Sequence, residues 1–143
     1  MNTKKLVWCC AAVSLLMLSG CKPIYEKMIE GTWKLDTYLY NNADDTENFL
    51  VLKKDYTITF YDNNDFVEAY KAGFIVYVDV TNPGEWVIDK KPDGKIGEFQ
   101  LRLTDDDGVR IYDIKEISKD RIDIYRDLGD GNSEELILEP PLE

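Results

Sequence analysis

The residues able to do chemistry in this 143-residue chain are few and unevenly placed. There is no histidine, and the three cysteines stand at Cys9, Cys10 and Cys21. With no histidine and no thiol in the body of the chain, neither a Ser-His-Asp nor a Cys-His nucleophile can be assembled, and no zinc site of His or Cys ligands can form. Carboxylates, tyrosines and lysines remain. A pair of carboxylates facing a cleft can hydrolyse a glycoside, and strand alternation allows Glu68 or Glu98 to point inward, although the plainer reading is an exposed or barrel-mouth carboxylate. Asp105-Asp106-Asp107-Gly108 and Asp127-Leu128-Gly129-Asp130-Gly131-Asn132 are rich in oxygen ligands, yet neither has the spacing of a calcium loop. Asp, Asn and Gly serve turns for conformational reasons alone, so both read as hairpin turns, with no metal and no cofactor expected.

Cys21 is the residue with a defined chemistry. Lys4 and Lys5 precede an uncharged run, Leu6 to Leu18, which is too short to span a bilayer permanently and has the length of a signal core. Small residues then lead into a cysteine, and Leu18-Ser19-Gly20-Cys21 resembles a bacterial lipobox. The resemblance implies that residues 1–20 are removed and that Cys21 becomes the acylated first residue of a mature lipoprotein, palmitate being the kind of chain attached. Cys9 and Cys10 fit poorly, because Trp8 and Cys9 stand where a small residue is needed. An ordinary secretory signal or an uncleaved anchor helix are the alternatives, and the second lacks a stop-transfer flank. Lys22, rather than aspartate, follows Cys21; by the sorting rule of enteric lipoproteins this implies the outer membrane of a Gram-negative cell, with the membrane face open.

Without residues 1–20, which carry Lys4 and Lys5 but no acid, 123 residues remain, with 15 basic and 28 acidic side chains and a net charge of −13. That length supports one domain with one core. Such charge repels nucleic acid and anionic headgroups, so no nucleic-acid partner is expected and the membrane is reached through the N-terminal lipid alone. It also suits a soluble surface, or steers the chain toward a basic protein partner. No cysteine after Cys21 means no disulfide, and stability must come from a packed core.

The elements that position these residues are strands. Residues 21–30 form a lipidated tether, ordered by Ile24, Tyr25, Met28 and Ile29. Beyond Gly31, turn residues recur at Asp62–Asp65, Ala72-Gly73, Asn82-Pro83-Gly84, Pro92-Asp93-Gly94, Asp106–Gly108, Ser118–Asp120 and Gly129–Asn132. Between them side chains alternate with period two, as Leu101 and Leu103 do against Gln100, Arg102 and Thr104. The pattern predicts strands over 31–40, 55–62, 65–71, 74–81, 84–89, 96–104, 109–117, 121–127 and 134–138. The expected fold is all-β: residues 31–143 as one up-and-down antiparallel barrel of about eight strands plus a C-terminal strand packed alongside, since closure removes exposed edges. The long connection from Asn41 to Lys54 is polar at first and apolar at Phe49–Leu52, which leaves a lid, a surface loop and a strand extension open.

Trp33, Phe60, Phe66, Tyr70, Trp86 and Phe99 fall on inward faces, where they either fill an eight-stranded barrel or line a cavity for one small molecule. Gly31-Thr32-Trp33-Lys34-Leu35 at the first strand, with Gly84-Glu85-Trp86 later, resembles the lipocalins, and most closely the small lipocalin-like lipoproteins of Gram-negative bacteria, over residues 29–139. The resemblance implies a non-catalytic protein holding a small hydrophobic ligand, and alternation offers Phe60, Phe66, Tyr70, Trp86 and Phe99 as the residues to line its site. It also implies that Trp33 plugs one end of the barrel beneath a late arginine, for which Arg121 and Arg126 both qualify. The plainer reading of those arginines is pairing with Asp120, Asp123 and Asp127. The Thr-Asp-Tyr element of many lipocalins is replaced by Arg110-Ile111-Tyr112-Asp113. The function expected is a lipid-anchored binding protein of the envelope; the alternative is an interaction module or inhibitor that docks on a basic envelope protein through acidic loops.

Overall fold

Alternation decides the architecture. In Lys54–Phe60, Tyr56, Ile58 and Phe60 are buried while the residues between them face outward, so one face of the strand must meet a core. The same pattern recurs from strand to strand. The computed structural model describes residues 21–95 and 98–142, so the expected signal segment lies outside the described residues. In chain order the elements are α1 (Cys21–Ile29), β1 (Gly31–Tyr40), β2 (Ala43–Asp44), α2 (Thr46–Leu52), β3 (Lys54–Phe60), β4 (Asp65–Ala72), β5 (Val78–Lys90), β6 (Phe99–Asp105), β7 (Gly108–Ile117), β8 (Ile122–Gly129) and β9 (Asn132–Glu139).

Every strand from β3 to β9 pairs antiparallel with the next, β3 also pairs with β1, and β9 returns to β1 through Leu35↔Leu138 and Tyr40↔Glu134. The result is the expected all-β, closed, eight-stranded antiparallel barrel. The two-residue β2 is an extra strand at the end of β1. The C-terminal segment, expected beside the barrel, is the strand that closes it.

The predicted strands 74–81 and 84–89 are one element. Asn82-Pro83-Gly84 continues β5 instead of turning, with Pro83 opposite Val67. β6 reaches only as far as Gly84, opposite Asp105, so one flank at Pro83 has no neighbouring strand, a position that tolerates a missing N–H. The turn lies earlier. At Gly73 φ is +122°, and a Cβ there would collide with the carbonyl of Val76. Phe74 to Tyr77, read from alternation as strand, thus forms an exposed apolar loop; Ile75 is 94% exposed.

The two ends of the barrel differ. At the base, α1 crosses the opening: Ile29 is fully buried, and Tyr25 lies edge-on to Phe99 with ring centroids 5.3 Å apart. Ile24 and Met28, expected to order this segment, face solvent. At the mouth, the long connection folds as β2 and α2. Phe49 of α2 packs on Tyr38 and Tyr56, with centroids 4.6 and 5.3 Å away, so of the three readings of Phe49–Leu52 the chain takes that of a lid. No residue of α2 is fully buried. No helix among the described residues is long and apolar enough to cross a membrane.

Candidate functional site

The lower half of the barrel is filled. Phe60, Phe66 and Trp86 are each 2% exposed or less. They pack ring against ring, at 6.4 Å for Phe60–Phe66 and 5.8 Å, edge to face, for Phe60–Trp86. Trp86 Nε1 donates to the Tyr61 carbonyl at 3.1 Å. Trp33 is buried at this end, its Nε1 donating to the carbonyl of Ile29 at 2.8 Å. The expectation that Phe60, Phe66, Trp86 and Phe99 line a ligand cavity is corrected here: the first three are core, and Phe99 packs on Tyr25 of α1. Period-two alternation assigns a residue to the inner face but says nothing of its height along the barrel axis, and height separates core from cavity.

The expected arginine plug is also corrected. Arg121 reaches Glu116 at 3.7 Å and Asp123 at 3.2 Å. Arg126 stands 5.2 Å over the ring of Tyr112 and 2.7 Å from Glu134. Both guanidiniums are drawn to carboxylates rather than to Trp33.

The upper half is hollow. A cavity of about 330 Å³ is lined by Phe49 and Lys53 from the lid region, Tyr56, Glu68, Tyr70 and Asn82 from β3, β4 and β5, and Asp107, Arg110, Tyr112, Arg126, Glu134 and Leu136 from the other side. Tyr70 is the one residue of the expected ligand set that lines it. Two carboxylates organise the walls. Glu68 Oε1 accepts from the Tyr56 hydroxyl at 2.6 Å and from Arg110 Nη1 at 2.8 Å, and Arg110 Nη2 reaches Asp105 at 2.6 Å. Glu134 accepts from Tyr112 at 2.9 Å and from Tyr38 at 3.3 Å, and pairs with Arg126. Burial in each case, reinforced by the neighbouring carboxylate, raises the Tyr56 and Tyr112 hydroxyls well above the ordinary tyrosine range and Tyr38 to about 12. Burial disfavours the Arg110 charge, but the Glu68 hydrogen bond and charge outweigh it and raise its pKa. At neutral pH the tyrosines are hydrogen-bond donors and Arg110 is a cation.

Glu98, the other half of the candidate carboxylate pair, accepts from the Lys95 N–H at 3.1 Å in the β5–β6 connection at the base. On β5, the partners of Glu68 and of Phe99 are Asn82 and Lys90, roughly 26 Å apart at strand rise, so Glu68 and Glu98 do not form a two-carboxylate centre. Among the described residues no group of three or more Asp, Glu, Cys or His is placed to hold a metal ion. A larger, shallower hollow of about 540 Å³ lies by Tyr61, Asp65 and Pro83, with no buried charge in its wall.

Sequence reasoning missed Lys53, Tyr56, Arg110, Tyr112 and Glu134. A signal was present for four of them. Glu134 shares strand parity with the core residues Leu136 and Leu138, Tyr56 with Ile58, and Arg110 with Tyr112. Polar groups on a buried parity mark an inner face that is not merely core. Lys53 follows a helix that alternation could not foresee.

The Lipocalin-like domain family matches residues 29–124. A crystal structure of a lipocalin-like protein from Bacteroides uniformis ATCC 8492 is similar to this chain, with a TM-score of 0.50 and 15% sequence identity over 80% of this chain and 99% of that one; at that identity the likeness is one of fold. No curated protein matches the chain. With the family match running from Ile29 at the end of α1 to the middle of β8, this chain belongs to the lipocalin-like domain family.

Proposed function

We propose that this protein is a lipid-anchored, non-catalytic binding protein that holds a small amphipathic molecule in the mouth of its barrel, beneath α2. The observation that carries this reading is the hollow upper half of the barrel above a filled base. Lipocalin-like proteins are generally binding proteins, which agrees with the absence of histidine and of any cysteine after Cys21. The cavity wall narrows the ligand. Phe49, Tyr70 and Leu136 offer apolar contact, whereas Glu68, Arg110, Arg126 and Glu134 lose hydration when a ligand seats. A pure hydrocarbon would leave that loss uncompensated, so the hydrophobic body expected of the ligand must carry a polar end. Anchoring rests on Leu18-Ser19-Gly20-Cys21, and an outer-membrane location on Lys22.

Native mass spectrometry of protein purified from its own cells tests the binding reading. The expected spectrum shows a non-covalent adduct that is lost when Tyr70→Trp narrows the cavity. Adduct-free protein that also fails to bind the neutral probe N-phenyl-1-naphthylamine would overturn it.

A further inference from the structure

We infer that the ligand held in the barrel mouth carries an anionic group, of carboxylate, sulfonate or phosphate type, and that Lys53 is the residue that meets it. The inference rests on the small-molecule reading above and specifies the ligand. Of the other charges of the cavity, Arg110, Arg126, Glu68 and Glu134 are matched within the protein, and Asp107 stands in the β6–β7 turn. Arg110 is engaged by Glu68 and Asp105 at 2.8 and 2.6 Å, and Arg126 by Glu134 at 2.7 Å. Lys53 differs. Among the described residues it has no carboxylate within 4.0 Å, in a chain where 28 acids outnumber 17 bases. Its ammonium instead stands 5.6 Å from the ring centroids of Phe49 and Tyr56 and 5.0 Å from that of Tyr70.

Three π faces offset part of the charge but accept its hydrogen bonds poorly. An anionic oxygen in the cavity would accept them. The same rings, with Leu136, give the body of the ligand its apolar contact, so head and body are met side by side. An organic cation is disfavoured beside Lys53, because the aromatic faces there already hold an ammonium and Glu68 and Glu134 already have guanidinium partners. Lys53 also ends the lid: its backbone N–H donates to the Phe49 carbonyl at 2.9 Å. A ligand anion on Lys53 is therefore held by the turn of chain that closes the mouth.

The test uses two ligands that differ only in the head group. Decanoate and 1-decanol displace N-phenyl-1-naphthylamine from wild-type protein, Lys53→Gln and Lys53→Arg, with thermal melts showing that each variant is folded. The expected result is displacement by decanoate at roughly tenfold lower concentration than by 1-decanol in the wild type, the effect of one hydrogen bond to a charged group. Lys53→Arg keeps this preference and Lys53→Gln removes it. Equal displacement in the wild type, or a preference that survives Lys53→Gln, overturns the inference and leaves the binding reading standing. Failure of the probe to bind any of the three proteins overturns both.

Discussion

Arg110 Nη1 stands 2.8 Å from Glu68 Oε1, and the Glu68 side chain is only 3% exposed. The carboxylate at the centre of the cavity wall thus depends on one guanidinium from a strand three places round the sheet. Arg110→Met removes that partner and leaves a buried charge with only the Tyr56 hydroxyl, and is expected to cost about 3–5 kcal/mol in urea unfolding. Adding Glu68→Leu should restore most of the loss, because removing both partners also removes the penalty of the orphaned charge. A single-variant loss under about 1 kcal/mol would show that cavity water solvates Glu68 well enough to replace the arginine.

Gly84 is fixed by a close approach rather than by a turn. A Cβ at this position would come 2.6 Å from Phe66 Cε1 and would strike the Thr104 carbonyl oxygen. The ring belongs to the filled base and the carbonyl to the neighbouring strand, so neither can yield freely. Gly84→Ala is expected to lower stability by about 3 kcal/mol, as overpacking of a dense core does. Trimming the ring with Phe66→Leu should not rescue it, since the Thr104 backbone stays in place. A Gly84→Ala protein that unfolds at the wild-type denaturant midpoint would refute the close approach.

Much of the fold was legible because the hairpin turns and the alternation of β3, β6 and β8 are local properties. The merger of 74–81 with 84–89 was not legible, since whether Asn82-Pro83-Gly84 turns or runs straight depends on where β6 ends, a tertiary fact. The site was less legible than the fold. Trp86 and Tyr70 both lie on strands with an inner face, yet one is buried in the base and the other lines the mouth, because strand tilt and stagger set the height of each residue. The partners of Glu134 show the same point: Tyr38 and Tyr112 lie 96 and 22 residues away and meet it only once the barrel has closed.

Asp123 gives the protein a pH dependence. Burial raises its carboxyl pKa, and the neighbouring Glu135 pushes it further up, while Arg121 and Lys115 pull the other way. Its Oδ1 is buried without a hydrogen-bond partner. A carboxyl whose pKa is higher in the folded than in the unfolded chain stabilises the fold below the unfolded value. That stabilisation is lost as pH rises through the folded value, so ionised Asp123 is a cost at neutral pH. Asp123→Asn should therefore stabilise the protein at about pH 7 by on the order of 0.5–1 kcal/mol, its amide serving as a donor to Glu135. The gain should vanish near pH 3.5, where an ordinary aspartate is itself largely protonated. Thermal melts at the two pH values measure this, and a gain equal at both would exclude titration of Asp123 as the cause.

The proposed lipidation at Cys21 would have a consequence for orientation that can be measured. Cys21 opens α1, and α1 is bound to the base through Ile29 and Tyr25, so little free linker separates an acyl chain from the fold. An anchor there would hold the base toward the membrane and turn the mouth, with the apolar loop at Phe74–Tyr77, away from it. Radiolabelled palmitate should enter the wild-type protein but not Cys21→Ser, and Cys21→Ser should move from the membrane to the soluble fraction, since a domain of net charge −13 gains nothing from anionic headgroups. In membranes from cells making the lipidated protein, a cysteine introduced as Ile75→Cys should react with a water-soluble maleimide as fast as it does in detergent. Protection of that cysteine by the bilayer would mean that the mouth, not the base, lies on the lipid. Membrane retention of Cys21→Ser that disappears only when Ile75→Asp is added would assign attachment to the loop, and the lipobox reading would fall.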